Sequence, residues 1–467
     1  MYVFGLDPAH LRSLITPVSG TTELEDGEVA YRFARAAWSV ITEPGDGDAG
    51  ALIARFGAAE ALRRVLREAG IDAPGAASGE STDVVSVVDA REGDAGHPGD
   101  GLADGDLRTA FSRWKPRLRA GDVERALTLA ARAGVRMLVP PGTEGQTSST
   151  TGVSHGAERT PSGTERLPVD AGQGTDAGGR LRDPWPAGVA DLGVHAPVVL
   201  WARGAPHLLE VLSRSVALVG ARAASGYGEH VAGELSAGLV ERGLAVVSGA
   251  AYGIDGMAHR AALASSGVTI AFLAGGVDRF YPAGHDELLR RIVDRGLVLS
   301  EPPCGAAPTK WRFLERNRLI AACSSATVVV EAGARSGSLN TAGHAASLGR
   351  PLGAVPGPIT SPASAGCHRL LREYDAVCVT NAAEAAELVA PQLVPELRDD
   401  RDVAARDSAQ TVRLLDALTT RTARTPGEVA ALSGLGLGAV LAGLGELEID
   451  GRVREAGEGW VAVPRRR

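Results

Sequence analysis

Short apolar runs alternate with helical segments from about residue 215 onward, and this alternation constrains the fold more than any other feature of the sequence. The runs are rich in β-branched residues and read SVALVG, LAVVSG, VTIAFLAGG, LVLSE, ATVVVEA, PLGAVPG and AVCVT. Such runs are typical of strands buried on both faces of a parallel sheet. Helix boundary signals lie between them, such as Ser225 as an N-cap and Gly243 just after a helix. The pattern predicts a doubly wound α/β domain, with its ligand where loops leave the carboxyl ends of the strands.

The residues before this domain are predicted to form a small helical domain. Segments such as AYRFARAAWSVI and DVERALTLAARAGV carry apolar residues at i, i+3 and i+4 spacing. Two polar stretches rich in Gly, Ser, Thr, Asp and Pro lack that spacing, so we expect them to be disordered. The predicted sections are a helical domain at 1–140 with a disordered excursion at 75–106, a disordered linker or insertion at 141–184, and the α/β domain at 185–392.

A charged linker at 393–407 is predicted to lead to a winged-helix domain at 408–467. Its signals are a helix over 408–418, a second helix opened by the capping box Thr425-Pro-Gly-Glu428, a third over 440–449, and a β-ribbon turned at Gly457. The third helix would enter a DNA major groove, but it carries Glu446 and Glu448 and no Lys or Arg. We therefore favour a protein-contact or vestigial role for this domain over groove reading.

Composition excludes several classes of protein. At 467 residues and 44% hydrophobic content, the chain can bury more than one core. No apolar run approaches the roughly 18 residues of a membrane span, and the start MYVFGLDPAH lacks a secretory pattern. We expect a soluble cytoplasmic protein with no membrane partner. The four cysteines show no C-x-x-C spacing, so we predict neither disulfides nor a metal site.

The α/β section is basic within an acidic chain. Residues 201–380 contain 17 Lys and Arg against 14 Asp and Glu, a net charge of +3. Because the whole chain has a net charge of −8, the remaining residues have a net charge of −11. Five cations fall between Lys310 and Arg335. This distribution indicates a localised site for a polyanion, although ordinary solvated charges would give the same count.

Two strand-end loops are candidate anion sites. In the first, Gly220 allows a close backbone approach, Arg222 supplies charge, and Ser225 opens a helix whose N–H groups suit a phosphate. Arg222 stands where a second glycine of G-x-G-x-x-G would be, which disfavours a dinucleotide. The alternative is a tight turn with a solvated arginine. The second loop begins at Ser248 and Gly249 and leads into a helix that carries Asp255 and His259. These two residues could form an acid/base or metal pair, but we favour a hydrogen bond between them on the helix surface.

Two further segments complete the candidate site. On a helix over 312–323, Arg316 lies on the apolar side, where it needs an anionic ligand or an internal carboxylate such as Glu301, Glu315 or Glu331. The loop after the VVVEA run offers hydroxyl, amide and glycine groups that can hold phosphate. Those groups belong to Ser336, Gly337, Asn340 and Thr341. Because no catalytic triad, carboxylate pair or metal cluster accompanies these loops, we expect a binding site and not an enzyme, and no cofactor.

Motifs across 180–390 resemble the DprA/Smf DNA-processing family. They are G-x-R-x-x-S-x-Y-G, S-G-x-A-x-G-I-D, A-G-G-x-D-x-x-Y-P, S-E-x-P, F-x-x-R-N-R-x-I-A, V-V-V-E-A, R-S-G-S-L-N-T-A, G-R-P and A-V-P-G, in this order. The helical N-terminal section and the winged helix also resemble those of the family. The two polar insertions depart from a compact family member without touching these motifs.

The resemblance implies an extended Rossmann-like fold that binds single-stranded DNA, forms a homodimer and helps load the RecA recombinase during DNA uptake, natural transformation and homologous recombination. Phosphate contact is then expected at Gly220, Arg222 and Ser225. The basic edge before and within F-x-x-R-N-R falls on Lys310, Arg316, Asn317 and Arg318. Tyr227, Tyr252, Trp311 and Phe313 are candidates for base stacking, with packing as the alternative.

The alternative function is a nucleotide-hydrolysing enzyme similar to lysine-decarboxylase-like phosphoribohydrolases. Those enzymes carry P-G-G-x-G-T-x-x-E after the corresponding strand, with a catalytic glutamate at the start of a helix, whereas this chain has E-A-G-A-R-S-G-S-L-N-T without that glutamate. A nucleotide-sensing module is a third possibility, and it would bind a mononucleotide more tightly than an oligonucleotide.

Overall fold

The computed structural model describes residues 4–21, 23–71, 104–141, 183–389 and 409–463. Apart from their ends, the predicted disordered stretches at 75–106 and 141–184 and the linker at 393–407 lie outside these residues. The chain forms two compact units, Met1–Pro391 and Gln392–Arg467.

The first unit opens with amphipathic helices, as their apolar spacing predicts. These are α1 Pro8–Ser19, α2 Asp26–Ile41, α3 Gly47–Phe56, α4 Ala58–Glu68, α5 Asp104–Trp114 and α6 Ala120–Arg132. Asp7 and Asp46 cap α1 and α3 through their side chains. Buried side chains of these helices, including Trp38 and Trp114, pack in one cluster with Trp201, Ala271 and Val298 of the sheet. The helical section therefore covers one face of the sheet within the same compact unit.

A nine-stranded sheet forms the centre of this unit. Its strands are β1 Arg136–Leu138, β2 Leu200–Gly204, β3 Ser215–Gly220, β4 Ala245–Ser248, β5 Thr269–Leu273, β6 Leu297–Ser300, β7 Ala326–Glu331, β8 Leu352–Ala354 and β9 Val377–Cys378. The spatial order is β1-β2-β6-β5-β4-β3-β7-β8-β9. Strands β3 to β9 run parallel to one another, whereas β1 and β2 are antiparallel additions beside β6. All seven predicted runs are strands, which confirms the doubly wound α/β fold.

Helices connect the parallel strands, and they are α7 Gly226–Glu241, α8 Ile254–Ala264, α9 Asp286–Arg295, α10 Lys310–Cys323, α11 Ser338–Ser347 and α12 Ala365–Glu373. A further helix, α13 Ala382–Glu387, follows β9. Short 3₁₀ turns occupy Lys115–Arg117, Ala187–His195, Pro206–Arg214, Ala283–His285 and Pro362–Ser364. From β3 the chain first builds the sheet toward β6 and then returns to place β7 on the other side of β3. This reversal opens a crevice at the carboxyl ends of β3 and β7, where ligands of such folds bind.

The second unit is a winged helix. It contains α14 Ala409–Asp416, α15 Pro426–Ser433, α16 Leu437–Ile449 and the antiparallel ribbon β10 Val453–Ala456 with β11 Gly459–Ala462. Thr425 and Glu428 form the predicted capping box, and Gly457 turns the ribbon at a φ of +65°. No single described helix is long and apolar enough to span a membrane; the bent pair α15 and α16, at 107°, qualifies by length and composition alone.

The cysteines of the first unit differ in exposure. Cys378 lies in an apolar run, yet its side chain is exposed because β9 is the last strand of the sheet. Cys304, Cys323 and Cys367 are buried free thiols. Burial raises the pKa of Cys323 and of Cys367 to about 12, so both remain protonated and behave as small apolar groups.

Candidate nucleic-acid interface

A groove of about 840 Å³ occupies the crevice at the carboxyl ends of β3 and β7. Its walls are the loop after β3, the first turns of α10 and the loop before α11. Eight of the thirteen predicted site residues line it: Gly220, Arg222, Lys310, Arg316, Asn317, Ser336, Gly337 and Thr341. The fold therefore brings together side chains that are more than 100 positions apart in the sequence.

The rim of the groove is cationic. Arg222, Lys310 and Arg335 are exposed, and none of the three has an ion pair within the described part of the chain. The carboxylate among the lining residues is that of Asp255, which is only 6% exposed. An anion in the groove would therefore meet three free cations and no exposed carboxylate. Sequence reasoning missed Arg335 as a site residue, although it lies beside the predicted Ser336.

Arg316 forms the floor of the groove and is 6% exposed. Its Nη1 donates to the carbonyl of Gly249 at 2.6 Å and to that of Phe272, and its Nε donates to Oδ1 of Asn317. Burial lowers the pKa of Arg316 to about 10, while Asp255 acts in the opposite direction. The guanidinium therefore stays charged at neutral pH. Arg316 therefore has internal partners, but they are two backbone carbonyls and the amide oxygen of Asn317 and not the carboxylates predicted as the alternative; Asp255 affects it only through its charge.

Gly249 forms backbone hydrogen bonds with Arg316 and Asp255 and does not line the groove. A β-carbon at Gly249 would overlap the guanidinium of Arg316, so a larger residue there would displace that buried group. The N–H of Gly249 donates to Oδ2 of Asp255 at 3.1 Å. Ser248 is fully buried, and its hydroxyl donates to the carbonyl of Leu218. Both predicted contacts in the second loop are therefore used inside the protein.

Ser225 also has an internal partner in place of a phosphate. Its N–H donates to Oε2 of Glu331 at 2.8 Å, and its hydroxyl donates to Oε1 at 2.6 Å. Glu331 ends β7 and is 2% exposed, so its carboxylate fills the N-terminus of α7. Because a helix N-terminus attracts negative charge, Glu331 takes the position that the sequence assigned to a phosphate.

Arg318 lies beneath the surface, away from the groove. Its side chain is 3% exposed and its Nη2 donates to both oxygens of Glu301, at 2.8 and 2.6 Å. Burial raises the pKa of Glu301, and Arg318 opposes that shift. The nearby Asn340 accepts a hydrogen bond from Nδ2 of Asn317 at 3.2 Å, so it supports a lining residue without lining the groove itself.

Asp255 and His259 form neither a metal pair nor a helix-surface hydrogen bond. Both are buried, and Nδ1 of His259 is 2.7 Å from the hydroxyl of Thr269, which donates its own proton to the carbonyl of Val246. His259 therefore carries its proton on Nδ1. Burial lowers its pKa to about 3. Among the described residues, no group of three or more His, Cys, Asp and Glu side chains could hold a metal ion.

Aromatic side chains stand at the groove with different roles. The guanidinium of Arg222 lies over the ring of Phe313 at 4.7 Å, and Tyr281 lies 5.7 Å from the same ring. Tyr227 is tied to the carbonyl of Pro356, and Tyr252 packs on His285, so these two belong to the scaffold. Sequence reasoning missed Tyr281, although it is the tyrosine of the noted A-G-G-x-D-x-x-Y-P motif.

Known proteins resemble this chain across the same region. The family model described as DNA recombination-mediator protein A matches residues 180–390, and that of the DprA winged helix domain matches 398–459. A putative DNA processing protein DprA of Mycobacterium tuberculosis H37Rv is 52% identical over 282 residues, which are 58% of this chain and 72% of that protein. Protein Smf of Escherichia coli K12 is 41% identical over 192 residues, 41% of this chain and 50% of its own.

Two solved structures are also similar. The X-ray structure of DNA processing protein A from Streptococcus pneumoniae is 40% identical, with a TM-score of 0.42, over 45% of this chain and 72% of that one. A Helicobacter pylori structure, titled for the single-stranded DNA binding mode of DNA processing protein A, is 30% identical, with a TM-score of 0.41, over 44% of this chain and 91% of that one.

Proposed function

This chain belongs to the DNA recombination-mediator protein A family, and from that premise we propose that it binds single-stranded DNA in the groove at the carboxyl ends of β3 and β7. The observation that carries the proposal is the rim of three exposed cations, Arg222, Lys310 and Arg335, that form no ion pair with any described residue, on a protein whose net charge is −8. Such a rim attracts phosphates and releases their counterions.

The helix N-termini at this edge fall into two kinds, and only one kind is open to phosphate. Asp255 and Glu331 supply internal carboxylates to the loops that open α8 and α7. Hydroxyl groups stand at the starts of α10 and α11, where Thr309 caps α10 and Ser336 lies just before α11. Phosphates are therefore expected between Lys310 and the Ser336 loop, with Arg222 across the groove.

The preference for a single strand over duplex follows from the walls of the groove. Phe313 and Tyr281 stand beside the cations, so unpaired bases can stack there while phosphates reach Arg222 and Lys310. A duplex keeps its bases stacked inside and offers only its backbone to such a groove. The Helicobacter relative, whose title names a single-stranded DNA binding mode, is consistent with this proposal.

We extend the proposal to the assembly and role of the protein. The relatives are named DNA processing proteins and the family a recombination mediator, which supports protection of incoming single strands and loading of the RecA recombinase. A homodimer is also proposed. Strand β9 ends the sheet with no strand partner on its outer side among the described residues, and its Val377 is 51% exposed. Such an edge is a place for self-association.

We propose that the protein is a binding protein and not an enzyme. The described groove brings cations, hydroxyls and aromatics together, with one buried carboxylate, Asp255, that already accepts hydrogen bonds from two backbone N–H groups. Release of free base from nucleoside monophosphates would instead support the phosphoribohydrolase alternative.

The test of the proposed function is a gel-shift comparison of single- and double-stranded oligonucleotides of equal length. We expect the single strand to bind more tightly at every salt concentration. Equal affinity for the two, or tighter binding of a mononucleotide than of an oligonucleotide, would contradict the proposal.

A further inference from the structure

A second cavity lies on the other side of the first turn of α10. Its volume is about 540 Å³, and it opens at the seam between the helical section and the sheet. Trp311 stands on its wall, whereas Lys310 and Phe313, on the same turn, stand on the wall of the DNA groove. The two cavities are therefore neighbours across a single helical turn.

Trp311 is unusually exposed for its type. Its side chain is 57% exposed, and each of the other five tryptophans is buried or half-buried. It has no ring-stacking or cation–π partner in the described part of the chain. Exposing a large apolar ring costs free energy, and such rings at binding surfaces commonly meet a flat or apolar ligand.

The charges of this seam cavity are already neutralised. Arg113 pairs with Asp48 at 2.6 Å, and Arg117 pairs with Glu43 at 2.5 Å. Burial acts to raise the pKa of Glu43, but hydrogen bonds from Arg312 and Arg117 lower it overall, so the carboxylate stays ionised beside its cations. The cavity thus offers no free cation to a phosphate, in contrast to the rim of the groove.

We propose that Trp311 is a stacking platform for a nucleobase of the bound strand, at the mouth of the seam cavity. The inference rests on the proposed function and extends it. Phosphates remain at Lys310 in the cationic groove, and the next base along the strand turns across α10 onto the indole. A neutral, flat ring suits a cavity that has paired charges and an exposed tryptophan.

The test compares two single strands of the same length, one of thymidylate and one with abasic sites throughout. Trp311→Ala should weaken binding of the thymidylate strand by about 5- to 150-fold, the range for losing one base–aromatic stack. Binding of the abasic strand should be unchanged, since only its phosphates remain. Because no charge is removed, the salt dependence should also be unchanged.

Two further variants make the result specific. Trp311→Phe keeps an aromatic ring, so it should retain much of the affinity while losing the change in tryptophan fluorescence that we expect the wild type to show on binding. Tyr374→Ala removes another exposed aromatic side chain, which lies before β9 at the amino ends of the strands. This variant should bind both strands with the wild-type affinity.

The outcomes separate the two proposals. Equal losses on both strands, or a fluorescence change that persists in Trp311→Phe, would overturn the stacking platform and leave the groove standing. A wild-type protein that binds neither strand would overturn both. Melting curves of each variant identify any loss of affinity that comes from misfolding. If Trp311→Ala misfolds, the fluorescence and affinity of Trp311→Phe decide whether Trp311 stacks on a base.

Discussion

The carboxylate of Glu331 accepts two hydrogen bonds from Ser225, one from its backbone N–H at 2.8 Å and one from its hydroxyl at 2.6 Å. This pair joins the end of β7 to the start of α7 and occupies the helix N-terminus with a negative charge from the protein itself. We therefore expect an anion to bind nearer to α10 and α11.

Ser225→Ala should therefore affect stability and not DNA contact. It removes the side-chain cap of α7 and one of the hydrogen bonds to a buried carboxylate, so we expect a loss of about 1 kcal/mol in the free energy of unfolding. Chemical denaturation measures this loss, and Ser225→Thr, which keeps the hydroxyl, is the control. A reduced salt dependence of DNA binding in the alanine variant would show instead that Ser225 reaches a phosphate.

Arg222→Ala should affect DNA binding and not stability. Arg222 is exposed, has no ion pair among the described residues and lies over Phe313, so its removal should barely change the melting temperature. It should lower affinity for all sequences alike and reduce the salt slope by about 0.7, as for one phosphate contact on a single strand. A lowered melting temperature with an unchanged slope would mean that the arginine supports the turn.

Arg318→Ala should destabilise the protein strongly. The substitution leaves Glu301, whose side chain is 7% exposed, as a buried carboxylate without its cation. The expected cost is about 3 to 5 kcal/mol, measured by denaturant unfolding. Combining Arg318→Met with Glu301→Gln should recover part of the loss, because no unpaired charge remains. Unchanged stability together with a reduced salt slope would restore the sequence-based assignment of Arg318 to DNA.

His259 should make stability depend on pH. Burial lowers its pKa from 6.5 to about 3, so between these values the unfolded state binds a proton that the folded state does not. Stability should therefore fall as the pH decreases through this window, by up to about 1.4 kcal/mol per pH unit.

The difference between wild type and His259→Asn isolates this effect. Burial raises the pKa of Asp255 and of Glu301, so the stability that these two groups contribute falls as the pH rises. Their effect has the opposite sign to that of His259. Asparagine keeps an N–H for Thr269 without a titrating ring, so the unfolding free energy of the wild type relative to this variant should fall as the pH decreases from 6.5 to 3. Parallel curves for the two proteins would contradict the assignment.

The seven parallel strands were predictable because strands buried on both faces read as continuous apolar runs. Strands β1 and β2 were not predicted, since RML and LWARG are too short and mixed to stand out. The cations of the groove were largely predictable from their positions at strand ends. Which of them face solvent was not, because the deciding partners are distant: Glu331 is 106 residues from Ser225, and Glu301 lies on another element than Arg318.

The most direct test of the central claim is the salt dependence of single-strand affinity in two triple variants. The first replaces Arg222, Lys310 and Arg335 with alanine. The second makes the same change in charge by replacing Arg214, Arg295 and Arg372. These exposed arginines precede β3, β6 and β9, at the amino ends of the strands and away from the groove. We predict that the groove variant loses about 2 from the salt slope, as for three phosphate contacts, and that the control keeps the wild-type slope. Equal slopes in the two variants would show that the protein binds through its overall charge, and that the groove is not the DNA site.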